Sequence, residues 1–473
     1  MPTHYAACAN ENEALLAPAI ERANRVGPHQ FVARGYSDQD VIAVASGHDF
    51  GFLLPRSEMS LHRIADNLER KQGDEKREPL QSIVAVGYTP LVFLLNPACA
   101  SRMKVLQRGL GWNDIASGSC SIRHATARQL DGEIVGLAQH LALPSADDRL
   151  RVQQQVEEYG PDDREVLQRA AADGWRTDLV IAQERSILEF ARQHPEREGV
   201  VVYPRDGTLA LPTSAALVTG WYGEDSEGAF AQMATALQAT SREVLAATGL
   251  HKTTEDLQLP TNFPATGRLQ WAPHAGVKTT VLPARPAVHS IRHLALEGQR
   301  SLDVCLLFDS SESMRGGGKF DAAVDGMEAF LALLSPRSRI ALIRIQSQST
   351  TILPLTARGN FHYDRAALTP EGRTALIDAA GAALDMLARD GYSSNIRAIV
   401  GFTDGQENAS WRLLADVEAA FRQHPNIRFY GIGYGADADI SKLQRLAAAS
   451  NGLAVQGGTS QIKALYERLS TYF

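Results

Sequence analysis

The sequence predicts an α/β protein made of two α/β parts in tandem, the second carrying a doubly wound parallel sheet. Three observations predict it. Short apolar runs alternate with helical patterns through residues 1–250, a stretch with five prolines between Leu257 and Pro286 interrupts them, and apolar strands separated by helices resume near Ser301. Nearly continuous apolar strands suit a parallel sheet covered on both faces.

In the first part, strands are expected at Tyr5–Cys8, Val41–Ala45, Ile83–Val86, Val92–Leu95 and Val200–Tyr203. Helices are expected at Glu13–Val26, Ala125–Leu141, Arg164–Gly174 and Gly228–Thr248. Residues 251–300 read as a connector, because Pro260, Pro264, Pro273, Pro283 and Pro286 remove donors and break helices. Phe263, Leu269 and Trp271 need burial, so this connector is expected to lie along a domain surface. In residues 301–473 the strands read Asp303–Asp309, Ile340–Ile345, Ala398–Thr403 and Arg428–Gly433. Their helices read Phe320–Leu334, Ala375–Arg389, Trp411–Gln423, Ile440–Ser450 and Ser460–Thr471. No repeat of solenoid length is present.

Composition narrows the function classes. With 44% hydrophobic and 21% charged residues, the 473-residue chain is neither disordered nor collagenous, and it is long enough to bury large cores. Its net charge of −7 argues against a nucleic-acid binder working by bulk phosphate attraction. Cys8, Cys99, Cys120 and Cys305 are widely spaced with no Cys-x-x-Cys pair, and read as buried thiols of a reduced compartment. No signal peptide is visible at the amino terminus. The run Ile83–Leu95 is too short to span a membrane and reads as two strands meeting at a bend, at Gly87 and Pro90. A cytoplasmic location is expected, with the periplasm or cell surface as the alternative if a leader is missing.

The strongest chemical signal is Asp309-Ser310-Ser311-Glu312-Ser313-Met314, directly after the apolar strand Val304–Phe308. It puts a carboxylate and two hydroxyls at the carboxyl end of a strand, where ligands bind in open α/β sheets. These are hard oxygen donors, suited to Mg²⁺, Mn²⁺ or Ca²⁺. Thr374, in a turn that opens a helix, and Asp404, after the strand Ala398–Thr403, reach the same sheet edge. The alternative is an N-capping Asp/Ser turn without metal. The pattern Asp-x-Ser-x-Ser, distant Thr, distant Asp resembles the metal-ion-dependent adhesion site of von Willebrand factor A (VWA) domains, over roughly the last 170 residues. That resemblance implies a Rossmann-like fold with a metal at Asp309, Ser311, Ser313, Thr374 and Asp404. It further implies an open coordination position that an acidic side chain of a protein partner completes. Glu312 departs from the family, which often has Gly there.

The amino-terminal part resembles bacterial extracellular solute-binding proteins, bilobal domains of the periplasmic-binding-protein type 2 class. The resemblance rests on Tyr5–Leu16, Gly87-Tyr88-Thr89-Pro90-Leu91-Val92, Gly111-Trp112-Asn113-Asp114-Ile115 and Val202–Thr208, in the family's order. It implies a small ligand in a cleft, with Asn10, Thr126 and Tyr203 as candidate contacts. Arg123–Gly132 stands where the family has an anion-holding loop. Ala127 and Leu130 dilute its hydroxyl character.

Other motifs dissolve on inspection. Gly316-Gly317-Gly318-Lys319 lacks the rest of a Walker loop, and Gly431-x-Gly433-x-Gly435 lacks the acidic partner of a dinucleotide fold. His289 and His293 read as surface histidines, and Asp74–Glu78 as a solvated loop. No catalytic arrangement is found. The expected function is therefore a non-enzymatic bacterial binding or scaffold protein that captures an acidic residue of a partner through a divalent cation. The alternatives are a small-ligand receptor and an accessory subunit of an AAA+ ATPase machine of the chelatase kind.

Overall fold

A computed structural model describes all residues except 1–2, 47–50, 73–77, 220–224, 259–266, 273–277, 405, 435–437, 459–461 and 473. Pro260, Phe263, Pro264, Pro273, Gly435 and most of the Asp74–Glu78 run lie outside the described residues, as does the side chain of His293. In chain order the strands are β1 (Thr3–Ala9), β2 (Gln30–Tyr36), β3 (Phe52–Leu54), β4 (Leu80–Leu95), β5 (Ile122–Ala125), β6 (Val156–Gly160), β7 (Leu179–Gln183), β8 (Glu198–Val202) and β9 (Thr208–Val218). Then follow β10 (Arg268–Trp271), β11 (Thr279–Val281), β12 (Leu302–Asp309), β13 (Arg339–Ile345), β14 (Ser349–Ala357), β15 (Ile396–Thr403), β16 (Ile427–Tyr434) and β17 (Leu453–Gly457). The chain divides into one unit of Met1–Val152 with Asp162–Gly298, and a second of Gln153–Pro161 with Gln299–Phe473.

The first unit contains two sheets that share β4. One runs β2-β1-β3-β9-β4, and the other is built on β4, β7, β5 and β8. Residues Leu80–Pro90 of β4 pair with β9, and Leu91–Leu95 turn to β7 and β8. The alternation of a strand fills both faces of the first sheet. Ala6 and Cys8 of β1 join a core with Phe52, Leu54 and Phe230, whereas Ala7 joins Leu53, Leu61 and Ile64 on the other side. The second sheet has its own core around Val92, Leu94, Val180, Ala182 and Phe190.

Four expectations need correction here. Ile83–Leu95 is one strand, β4. Its irregularity is two register shifts near Gln81 and Ala85, and Pro90 stays within the pairing. Val41–Ala45 is helical (Asp38–Ser46), because Ser37 receives the Asp40 amide on Oγ at 3.2 Å and the Val41 amide on its carbonyl at 2.9 Å. This cap outweighs the β-branched side chains. Gly228–Thr248 is two helices, Ser226–Gln238 and Arg242–Ala247, the second capped by Ser241. The helix expected from Ala125 starts at Leu130, after β5.

Residues 251–300 are not a connector where they are described. β10 pairs with β8, β11 pairs with β9, and the helix Arg285–Gly298 packs on Leu130–Ala142, where Gly136 faces Ala295. Leu269 is buried in the second core and Trp271 packs against it.

The second unit is a six-stranded sheet of order β14-β13-β12-β15-β16-β17, parallel except for the β13–β14 pair. Its strands alternate as cleanly. Cys305, Leu307, Ile343, Ile399 and Phe429 bury one face under the helix Leu376–Asp390. On the other face Phe402 stacks on Tyr434 with ring centroids 4.2 Å apart, and on Tyr466 at 5.3 Å. Within this unit, Arg428 donates to the Glu157 carbonyl and Tyr430 Oη to Glu158 Oε1 at 3.2 Å. The Arg300 amide donates to Tyr159 Oη at 3.1 Å. Residues from the first half of the chain thus complete a unit otherwise formed by its end.

Candidate metal centre

β12 and β15 are parallel neighbours in a register that sets Phe308 beside Phe402. Asp309 and Asp404 therefore leave the same sheet edge. Both are buried, at 0% and 1% exposure, which is costly for carboxylates unless something compensates them. Asp309 Oδ1 accepts the Ser311 amide at 2.8 Å and Oδ2 accepts Thr403 Oγ1 at 2.5 Å. Ser311 Oγ lies 2.9 Å from Ser313 Oγ, which donates to Asp404 Oδ1 at 2.7 Å. Lys319 Nζ lies 2.5 Å from Asp404 Oδ2. Asp309, Ser311, Ser313 and Asp404 thus converge, with Ser313 exposed at the mouth.

The loop that carries Thr374 is tied to the turn after β12. The Glu371 amide donates to the Ser310 carbonyl at 2.8 Å, and the Glu312 amide to the Gly372 carbonyl at 3.0 Å. Gly372 sits at φ +73°, a left-handed conformation that favours glycine. Asn408 clamps Thr374 from both sides. Its Oδ1 accepts the Thr374 amide at 3.0 Å, and its own amide donates to the Thr374 carbonyl at 3.1 Å. Glu312 is exposed and pairs with Arg315 at 3.2 Å.

Burial pushes the Asp309 carboxyl up to about 6, against the hydrogen bonds from Thr403 and Ser311. Burial, followed by the charges of Asp309 and Asp404, raises the Tyr434 phenol, whose hydroxyl donates to Met314 Sδ. Two buried carboxylates and two hydroxyls that can turn their lone pairs outward fit a hard divalent cation.

Sequence reasoning missed Lys319, Thr403 and Asn408. Asn408 stands four residues past Asp404, in the same loop. Lys319 was visible only as part of a failed phosphate motif, since no local spacing shows that the first residue of the helix Lys319–Leu333 meets the far carboxylate.

The three cleft candidates are placed differently. Asn10 is exposed, Thr126 is fully buried, and Tyr203 is buried in the second core, its hydroxyl donating to Glu184. Glu184 Oε2 also meets His251 Nε2 at 2.6 Å. A Cβ on Gly132 would lie 2.1 Å from the Thr126 backbone, so the loop offered for an anion folds onto the first turn of its own helix. That turn carries Asp131, 4% exposed and paired with Arg56 at 3.1 Å. Asp131 Oδ2 also accepts the Asp163 amide at 3.0 Å. Gln183 donates from Nε2 to Asp131 Oδ1 at 2.9 Å, and from its amide to Asp163 Oδ2 at 2.9 Å.

Among the described residues, no helix is long and apolar enough to cross a membrane. Residues 304–406 match the von Willebrand factor type A domain family, a span that includes all five candidate metal residues. No curated protein matches the chain. Among solved structures, it is similar to proximal thread matrix protein 1 from the mussel byssus with a zinc-occupied MIDAS motif. There the identity is 15% and the TM-score 0.31, covering 41% of this chain and 53% of that one. It is similar to a von Willebrand factor type A protein from Catenulispora acidiphila (20%, TM-score 0.31, 36% and 42% covered). It is also similar to an ABC transporter from Clostridium perfringens (12%, TM-score 0.44, 62% and 98% covered). The chain spans about half the length of the first structures it matches, 53% of the mussel protein.

Proposed function

Starting from a chain that carries a von Willebrand factor type A domain over residues 304–406, we propose that this protein is a non-enzymatic binding or scaffold protein. Its VWA domain takes up a divalent cation, Mg²⁺ by preference, and through it captures an acidic side chain of a protein partner. The observation that carries this reading is the hydrogen-bonded chain Asp309–Ser311–Ser313–Asp404 at the carboxyl ends of β12 and β15. Asp309 and Asp404 supply the negative charge. Ser311 and Ser313 orient and complete the oxygen shell, and Thr374 borders it on a loop held by Asn408. A bound cation supplies one coordination position that a carboxylate oxygen can fill. Exposed Ser313 and Gly316–Gly318 leave that side open to a partner.

The test is titration calorimetry with Mg²⁺, followed by affinity capture from the native host with and without chelator. Wild type is expected to bind Mg²⁺ and to retain a partner only in its presence. Asp309→Ala is expected to lose both. A partner retained equally by wild type, by the variant and after chelation overturns the reading.

A further inference from the structure

β5 and β7 run parallel, with Ile122 beside Leu179, and β4 runs antiparallel to β7, with Leu95 beside Leu179. The residues just before β5, just before β7 and just after β4 are therefore brought to one edge of the second sheet. Those residues carry Cys120, Asp178 and Cys99. Their donor atoms all lie within 4.8 Å of one another, the one such convergence of cysteine, histidine or carboxylate groups among the described residues.

The backbone holds the three in place. Asn96 caps the helix Pro97–Arg102 by accepting the Cys99 amide on Oδ1 at 2.7 Å. The same asparagine donates its own amide to the Asp178 carbonyl at 3.1 Å and its side chain to the Thr177 carbonyl at 2.9 Å. Ser121 and Asp178 clasp each other. The Ser121 amide donates to Asp178 Oδ2 at 3.1 Å, and Ser121 Oγ accepts the Asp178 amide at 2.8 Å. Both cysteines are buried, at 0% and 6% exposure, and neither is in a disulfide. Met103 Sδ lies 3.5 Å from Cys120 Sγ, so a third sulfur lines the cluster. The hydrogen bond from Cys99 holds the Cys120 thiol below its usual range, and the same bond with burial pushes Cys99 up.

We propose that Cys99, Cys120 and Asp178 form a site for a thiophilic divalent cation of the Zn²⁺ class, separate from the oxygen-lined VWA centre. Two sulfurs and one carboxylate oxygen are a borderline-soft donor set that suits zinc or cadmium and disfavours Mg²⁺. The charges balance. Two thiolates and a carboxylate face the dication and Arg102, whose guanidinium lies 3.0 Å from Asp178 Oδ2 and 3.4 Å from Cys99 Sγ. Zinc takes four ligands, so three protein donors leave one position for water. The cation's role is to tie three loops of the second sheet together. Its binding releases thiol protons, so affinity rises with pH.

The decisive measurement is titration of the full, reduced chain with Cd²⁺, following the ultraviolet charge-transfer absorption that only thiolate ligation produces. One equivalent is expected to develop the band in wild type and in Asp309→Ala, whose VWA centre offers no sulfur. Cys120→Ser is expected to lose it, and Asp178→Asn to bind at least ~10-fold more weakly. X-ray absorption of the zinc-loaded wild type is expected to show sulfur neighbours at about 2.3 Å. This second measurement decides the matter even if a cysteine variant fails to fold. An all-oxygen shell, a band that survives Cys120→Ser, or a Cys99–Cys120 disulfide in freshly purified protein overturns the proposal.

Discussion

Two pairs of buried carboxylates face different neutralisers. In the first unit, Asp131 and Asp163 share Arg56, whose side chain is only 16% exposed. In the second, Asp309 and Asp404 are met by the Ser311 amide, the hydroxyls of Ser313 and Thr403 and the single amine of Lys319. A guanidinium donates in a fixed fork and cannot accept. It closes its pair permanently. A hydroxyl donates or accepts, and a lysine swings on a flexible stem, so the second pair can exchange its partners for a cation. Burial of acid is common to both, and the chemistry of the neutraliser separates a strut from a candidate site.

The largest expected effect breaks the strut. Arg56→Ala strands Asp131 and Asp163 without their cation, and removing one partner of a buried ion pair costs ~3–5 kcal/mol. Urea unfolding should show that loss. A loss below ~1 kcal/mol would mean that Arg56 is no strut.

A smaller effect, set by pH, belongs to the other pair. In the folded protein the Asp309 carboxyl lies at about 6, raised from 3.8. The folded state therefore holds a proton that the unfolded state has released between those values. The stability this proton confers is full below about pH 4 and is lost as pH rises through about 6. With chelator present, wild type should lose up to ~3 kcal/mol across that window. Asp309→Asn should lack that contribution, and saturating Mg²⁺ should compensate it in wild type. An identical pH profile for wild type and Asp309→Asn in chelator would remove the comparison's basis.

The smallest effect sharpens it. Lys319→Met removes the amine that competes for Asp404, and should tighten Mg²⁺ binding by about 1 kcal/mol, read by calorimetry. Unchanged or weaker binding would make Lys319 part of the site instead of its competitor.

The second unit was more legible in the sequence than the first, for a physical reason. Its parallel strands are buried on both faces, so β12, β13, β15 and β16 appear as apolar runs within a residue or two of where they lie. The convergence of Asp309 with Asp404 followed from two strand ends sharing an edge. In the first unit, strength came from contacts that leave no local trace. The cap at Ser37 turned an apolar run into helix, and β10 lies inside the proline-rich stretch, where the need of Leu269 and Trp271 for burial was visible but the pairing with β8 was not. Lys319, Arg56 and the Cys99–Cys120 pair were illegible because each is defined by a partner distant in sequence.

The strip Gln153–Pro161 has a consequence for how the chain matures. It is made early, yet its partners Arg300, Arg428 and Tyr430 come much later. Such long-range closures are slow, because loop entropy is lost before the contacts reward it. The second unit thus finishes only when a segment synthesised some 270 residues before its partner docks onto β16. A fragment cut at residue 299 would contain every residue of the oxygen-lined centre, from Asp309 to Asp404, yet would leave Arg428 and Tyr430 without their acidic partners.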